Sequence, residues 1–253
     1  MDRKDFLRGL GLVGLGALTI PAIKACSSGD DDSSSSSSAS DTTQATDTGG
    51  TSSSDTCSVT ATETEGPFPT KTPGSLVTSN IVSDRTGVGF KINIYIKNTK
   101  ANCAALAGAI VDIWHCDKDG YYSEYGGTSM QSANFTTVHF LRGRQTTDAN
   151  GLVQFTSIFP GWYSGRATHI HVHIYNASGT SLLVTQIAFP EGSGSAVALV
   201  NASSANGYTK GLSGYTYNST DNVFSDGVSN EMSTVTGSVA EGFVLTHTIN
   251  VAS

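Results

Sequence analysis

The chain has 253 residues, 38% of them hydrophobic, and a formal net charge of −7. That length suffices for one substantial domain. The charge divides as +2 over residues 1–26, −6 over 27–56 and −3 over 57–253. The last and largest part is thus only mildly acidic and carries no basic stripe, which argues against a nucleic-acid partner.

In chain order, Arg3, Lys4 and Arg8 precede an apolar run from Leu10 to Ile23. This is the pattern of an export signal, and the run is short for a membrane span. It ends at Ile23-Lys24-Ala25-Cys26, which resembles a bacterial lipobox with Cys26 as the lipid-bearing residue. Lys24 is an unusual occupant there, and a plain secretory signal is the alternative. Arg3-Lys4-Asp5-Phe6-Leu7 resembles a weak twin-arginine signal. The expected location is the cell envelope, periplasmic or on the outer membrane or surface, with membrane contact only through the lipid at Cys26. Residues 27–56 are Ser, Thr, Asp and Gly with almost nothing apolar. Such a segment cannot bury enough surface to offset its ordering entropy and reads as a disordered tether. Residues 57–253 then form the folded domain.

Three further cysteines occur, Cys57, Cys103 and Cys116. In an oxidising compartment one disulfide is expected. Cys57 begins the ordered domain and Cys103 sits in a polar loop, so that pair is preferred; Cys103–Cys116 is the alternative. Cys116 falls within a strand pattern and reads as a buried thiol.

Strand signals dominate this region. Phe90 to Lys97 alternates apolar and polar with period two, and Phe243 to Val251 does the same. Ala109–Cys116, Leu152–Ile158, His169–Tyr175 and Leu182–Phe189 follow the same logic between Gly, Asp and Asn punctuation. No window outside the signal has helical periodicity. The expected fold is all-β, an antiparallel β-sandwich. The long loops at 117–140 and 190–230 are expected to build or cover a site.

The segment Phe159-Pro160-Gly161-Trp162-Tyr163-Ser164-Gly165-Arg166-Ala167-Thr168-His169-Ile170-His171-Val172-His173 carries the chemistry. On a strand, His169 and His171 point the same way and can share one metal ion. Tyr163 lies in the turn before that strand. A second tyrosine follows Trp114-His115-Cys116-Asp117, at Tyr121 or Tyr122. Two imidazoles and two phenolates form a hard donor set that suits non-haem Fe(III) rather than zinc. Two other readings compete. One is a strand with satisfied histidines; the other is a zinc or copper site built from His169, His171 and His173 without the tyrosines. A surface-binding module would instead display loop aromatics such as Tyr208, Tyr215 and Tyr217.

From Thr64-Glu65-Gly66-Pro67 to about Phe189-Pro190, the order and spacing resemble the intradiol ring-cleavage dioxygenases. The motifs are Trp114-His115-Cys116-Asp117 through Gly120-Tyr121-Tyr122-Ser123, Pro160-Gly161-Trp162-Tyr163, and Arg166-x-x-His169-Ile170-His171. The resemblance implies that Tyr122, Tyr163, His169 and His171 hold Fe(III), the spacing from Trp114 selecting Tyr122 over Tyr121. It makes Tyr163 the tyrosinate that leaves when substrate binds, and Arg166, helped by Gln186, the residue facing the substrate ring. It also implies a catecholic substrate, O2 as co-substrate and a cis,cis-muconate-type product. His173, His115, His139 and His247 are expected to be structural or supporting. Three departures stand out: Ala167-Thr168 where many relatives carry a proline, Phe68 where tyrosine is common, and a tether where catechol-type relatives carry a helical dimerisation segment. Oligomeric state stays open. Arg142 and Arg144 are the candidates for a cation that would bind a substrate carboxylate.

Overall fold

The computed structural model describes residues 57–202 and 204–253. The export segment, Cys26 and the tether lie outside the described residues. The described strands are β1 (Gly89–Asn98), β2 (Ala104–Ala105), β3 (Ile110–Trp114), β4 (Arg142–Thr146), β5 (Leu152–Ile158), β6 (His169–Tyr175), β7 (Ser181–Ala188), β8 (Thr234–Ser238) and β9 (Gly242–Val251). They form two sheets. One runs β2-β1-β9-β8, with β5 also pairing β1; the other runs β4-β3-β6-β7. The expected β-sandwich is present, with one difference in detail. Strands β1 and β9 pair in parallel, Phe90 opposite Phe243 through Asn98 opposite Val251. Nearly the whole domain forms the crossover between them, a relation that two separate alternating patterns do not reveal.

Period-two alternation decides which side chains meet between the sheets. Phe90, Ile92, Ile94 and Ile96 of β1 face Ile170, Val172 and Ile174 of β6 and Val111 and Ile113 of β3 in one core. Each such fully buried Ile or Phe contributes about 1.5–3 kcal/mol by leaving water. The opposite face of the β4-β3-β6-β7 sheet is therefore free to carry function. There Arg142, Trp114, His171 and Gln186 stand in one row across four strands.

Strands β2, β4 and β8 and helix α1 went unrecognised in the sequence. Strand β4 is Arg-Gly-Arg-Gln-Thr, with no apolar residue to mark a buried face. Helix α1 (Ala196–Asn201) is a short stretch capped by the Ser195 side chain, which accepts from the Ala198 N–H. The Cys57–Cys103 disulfide forms as expected, with Cα atoms 5.8 Å apart, and Cys116 is free and buried. The arm that starts at Cys57 runs along the free edge of β7. There the Glu63 N–H donates to Val184 O (2.9 Å). From the other direction the Ala188 N–H donates to Glu231 O (2.9 Å), so the edge is covered rather than open.

Candidate metal centre

His169 and His171 project from β6 on the face away from the sandwich core. Both are buried, and their Nε2 atoms lie 3.1 Å apart. His169 Nδ1–H donates to Ala167 O at 2.6 Å, which leaves the lone pair on Nε2. His171 is held flat against the Trp114 indole, with ring centroids 4.9 Å apart and planes 2° from parallel. Trp114 faces it from β3 because the two are register partners.

Tyr122 arrives from the loop between β3 and β4. Its hydroxyl lies 3.3 Å from His169 Nε2, and the side chain is fully buried. Gln131 fixes that loop: its Oε1 accepts from the Tyr122 N–H (2.7 Å), and its Nε2 donates to Tyr122 O (2.8 Å) and Tyr125 O (2.9 Å). Tyr121, the alternative donor, packs instead on Phe135. Tyr163 completes the group from the β5–β6 turn, its ring 5.7 Å from both His169 and Tyr122. The two tyrosine loops are joined through Gly161, whose N–H donates to Asp117 O (3.1 Å). A Cβ there would meet the Asp117 and Lys118 carbonyls, so no larger residue fits this approach. Phe68, from the arm, stacks on Tyr122 (4.9 Å) and edges toward Tyr163 (6.3 Å).

The electrostatics of this pocket favour a cation. Burial, then like-charge repulsion from His169, keeps His171 neutral far below the usual imidazole range; burial and Arg166 do the same for His169. Both imidazoles therefore present lone pairs. Burial also pushes the Tyr163 phenol up to about 12, Arg166 partly opposing, and raises the Tyr122 phenol well above its usual range. Neither tyrosine ionises at neutral pH unless a strong positive charge sits between them. Two nitrogen donors 3.1 Å apart match two bonds of about 2.1 Å meeting near a right angle. The residues fit a hard trivalent ion.

Beside the donors, Arg166 Nη2 donates to Gln186 Oε1 at 2.6 Å, and Gln186 Nε2 donates to Thr64 O at 2.8 Å. Arg166 Nε is held by Asp221 (2.8 and 2.9 Å). Asp221 and Gln131 went unrecognised in the sequence, and Tyr215 read only as a loop aromatic of a surface-binding module. Each lies in a loop with no local motif, and only the fold brings Asp221 to Arg166 and Tyr215 to the Thr168 N–H.

The remaining candidates lie elsewhere. His173 is on the same face of β6, but its nitrogens contact Glu65 Oε1 (3.0 Å) and Ser181 Oγ (2.8 Å). Among the described residues no three His, Cys, Asp or Glu side chains gather to hold a metal, and the three-histidine arrangement is not formed. His115 is buried between Cys116 O and Ser157 Oγ, His139 pairs with Glu124, and His247 packs inside β9. Arg142 is fully enclosed, donating to Ser123 Oγ and O, Phe68 O and Thr70 Oγ1. Arg144 is bound to Asp112 through two hydrogen bonds. Arg142 is thereby closed to a substrate carboxylate, and the Nε and Nη2 of Arg144 are taken by Asp112. Tyr208 and Tyr215 are buried, and of the three loop tyrosines only Tyr217 is well exposed, which removes the aromatic platform a surface-binding module would need.

A β-sandwich whose outer sheet face gathers two histidines and two tyrosines beside an Arg–Gln pair defines a class, and the comparisons agree with it. The family described as Dioxygenase matches residues 65–222, and the chain belongs to the intradiol ring-cleavage dioxygenase family. Chlorocatechol 1,2-dioxygenase of Rhodococcus opacus is 28% identical over 135 residues, which is 46% of this chain and 49% of the relative. The chain thus spans about half the length of that curated relative. An intradiol ring-cleavage dioxygenase from Tetranychus urticae superposes with TM-score 0.67 at 27% identity, covering 77% of this chain and 95% of that one. The dioxygenase domain of a dioxygenase–carbohydrate-binding fusion from Streptomyces sp. SirexAA-E gives TM-score 0.53 at 26% identity, covering 76% and 97%.

Proposed function

We propose that the protein is a non-haem Fe(III) dioxygenase. It would cleave a catechol between its two hydroxyl-bearing carbons, placing both atoms of O2 in a cis,cis-muconate-type diacid. The observation that carries this reading is the convergence on His169 Nε2 of His171 Nε2 at 3.1 Å and the Tyr122 hydroxyl at 3.3 Å, with the Tyr163 ring alongside. Tyr122, Tyr163, His169 and His171 would hold the iron. Bound there, ferric iron would supply the positive charge that favours the ionised phenols and withdraws electron density from a catechol ring.

The chain's own groups supply the rest. Tyr163 is less enclosed than Tyr122 and is the better placed of the two to move. Its Oη, with proton affinity raised by burial, takes a proton from an incoming catechol hydroxyl. The Arg166 guanidinium, fixed by Asp221 and Gln186, would stabilise negative density developing on the ring. Gln186 orients the guanidinium at Nη2. Phe68 and Trp114 close the sides and exclude water from the donors. With Arg142 and Arg144 both engaged, the substrate expected is a catechol without a ring carboxylate. Export and anchoring through a lipid on Cys26 complete the proposal; palmitate labelling that survives Cys26→Ala would remove the anchor.

The test is a visible spectrum with iron quantification, before and after anaerobic addition of catechol, followed by oxygen uptake and product mass. A tyrosinate-to-Fe(III) band that shifts with catechol, is lost in Tyr122→Phe and Tyr163→Phe, and precedes a gain of O2 is the expected result. Arg166→Ala should keep the band and lose about 10²–10³ in rate. A chain that stays colourless with ferric iron, or that takes up zinc instead, overturns the reading.

A further inference from the structure

We infer that Asp221 is a positioning residue for ring cleavage: it aims the Arg166 guanidinium and, together with Tyr215, staples the turn that leads into His169. The inference rests on the dioxygenase reading of the site but adds a component from outside the metal ligands and their motif. Asp221 lies 55 residues beyond Arg166, on the loop after α1, and is 1% exposed. Its carboxylate is used completely. Oδ1 and Oδ2 accept from Arg166 Nε at 2.9 and 2.8 Å. Oδ2 also accepts from the Ala167 N–H at 2.7 Å, and Oδ1 from the Val223 N–H at 2.9 Å. One residue further along, the Thr168 N–H donates to the Tyr215 hydroxyl (2.9 Å), which itself donates to Glu191 Oε1 (2.9 Å).

The two N–H groups between Arg166 and His169 are thus held by side chains of one distant loop. The same carboxylate that fixes Ala167 fixes the arginine. A charged fork with Nε on Asp221 and Nη2 on Gln186 cannot rotate, so Nη1 is the corner left without either partner. Gln186, which holds Nη2, is the register partner of His171, so the guanidinium is fixed beside the histidine pair. Burying Arg166 and Asp221 together is costly unless the pair is well hydrogen-bonded, and here both carboxylate oxygens and the Arg166 Nε and Nη2 are engaged. A misplacement of about 1 Å at such a group can cost on the order of 10²-fold in rate. Placing Arg166 rather than merely closing the fold is the role this geometry assigns to Asp221.

The test compares wild type, Asp221→Asn, Arg166→Ala and the double variant, each normalised to bound iron. Asp221→Asn is expected to keep the ferric–tyrosinate band and its shift with anaerobic catechol. Its kcat should fall roughly 10- to 100-fold, with KM changed far less. In the Arg166→Ala background the same substitution should do little more, because both act through one group. Additive losses, or a wild-type kcat in Asp221→Asn, overturn the inference. If Asp221→Asn does not fold, Tyr215→Phe, which removes only the hydroxyl that holds the Thr168 N–H, should lower kcat by a smaller factor; a wild-type kcat there overturns the staple. A wild type that cleaves no catechol removes the ring-cleavage reading instead. In that event the Arg166 Nε–H proton resonance of the iron-free or gallium(III)-loaded protein decides: slow solvent exchange that Tyr215→Phe accelerates supports the stapled arrangement, and fast exchange in the wild type refutes it.

Discussion

Gly66→Ala probes whether the arm that begins at the disulfide is packed onto the metal centre. Gly66 has φ +69°, and a Cβ there would lie 2.9 Å from His171 Cε1. The imidazole cannot retreat, since its ring already lies flat on Trp114 and edge-on to His169 at 4.7 Å. Left-handed backbone costs an L-residue about 1–2 kcal/mol, and overpacking adds about 1–3 kcal/mol. The sum, about 2–5 kcal/mol, corresponds to a melting point lower by something of the order of 10 °C in a domain this size. Gly108→Ala is the control: its φ is +77°, but a Cβ there meets open space, so only the backbone cost applies. Thermal unfolding of both variants, with iron bound per chain after reconstitution, measures the two contributions. Gly66→Ala should melt well below Gly108→Ala and bind iron poorly, because His171 is displaced. If the two melt together and Gly66→Ala holds a full complement of iron, the arm does not press on His171 and the reasoning fails.

Three further outcomes follow from the same geometry. Reducing Cys57–Cys103, 46 residues apart, should lower unfolding free energy by about 4 kcal/mol on the loop-entropy estimate; a loss under about 1 kcal/mol in denaturant titration would show that the arm's hydrogen bonds hold it alone. Glu231 is fully buried with Oε2 unpartnered, and burial, then Glu63 and Asp226, raises its carboxyl to about 8. The native state therefore binds the extra proton between about 4.5 and 8, so stability falls as pH rises through that window. Glu231→Gln should gain about 1–3 kcal/mol at pH 9 and almost nothing at pH 4; equal effects at both would refute the buried charge. Arg144→Ala should leave the ratio of kcat/KM for catechol over a carboxylated catechol within roughly threefold of wild type, because Asp112 already occupies that guanidinium. Selective loss of the carboxylated substrate would show that Arg144 reaches the pocket.

Much of this protein was legible before any coordinates. Alternation marked β1, β5, β6, β7 and β9 within a residue or so, because a strand with one buried face writes its period into composition. His169 and His171 share a face for the same reason, and the turn holding Tyr163 is announced by Pro160 and Gly161. Strand β4 was invisible because the partners of Arg142 and Arg144 are polar groups on the arm, on the β3–β4 loop and on β3, so no apolar pattern marks it. The parallel β1–β9 pairing was equally hidden, since strand direction depends on the path of everything between.

Local sequence marked the candidate donors, their common face and the family resemblance. Only tertiary structure decided that His173 pairs with Glu65 and Ser181, and that Arg142 and Arg144 are bonded to internal partners. It alone brought Asp221 and Tyr215 to the turn before His169. The physical reason is one of range. Periodicity and turn chemistry act over a few residues, whereas a buried carboxylate finds its guanidinium wherever the chain returns, and no short window records that meeting.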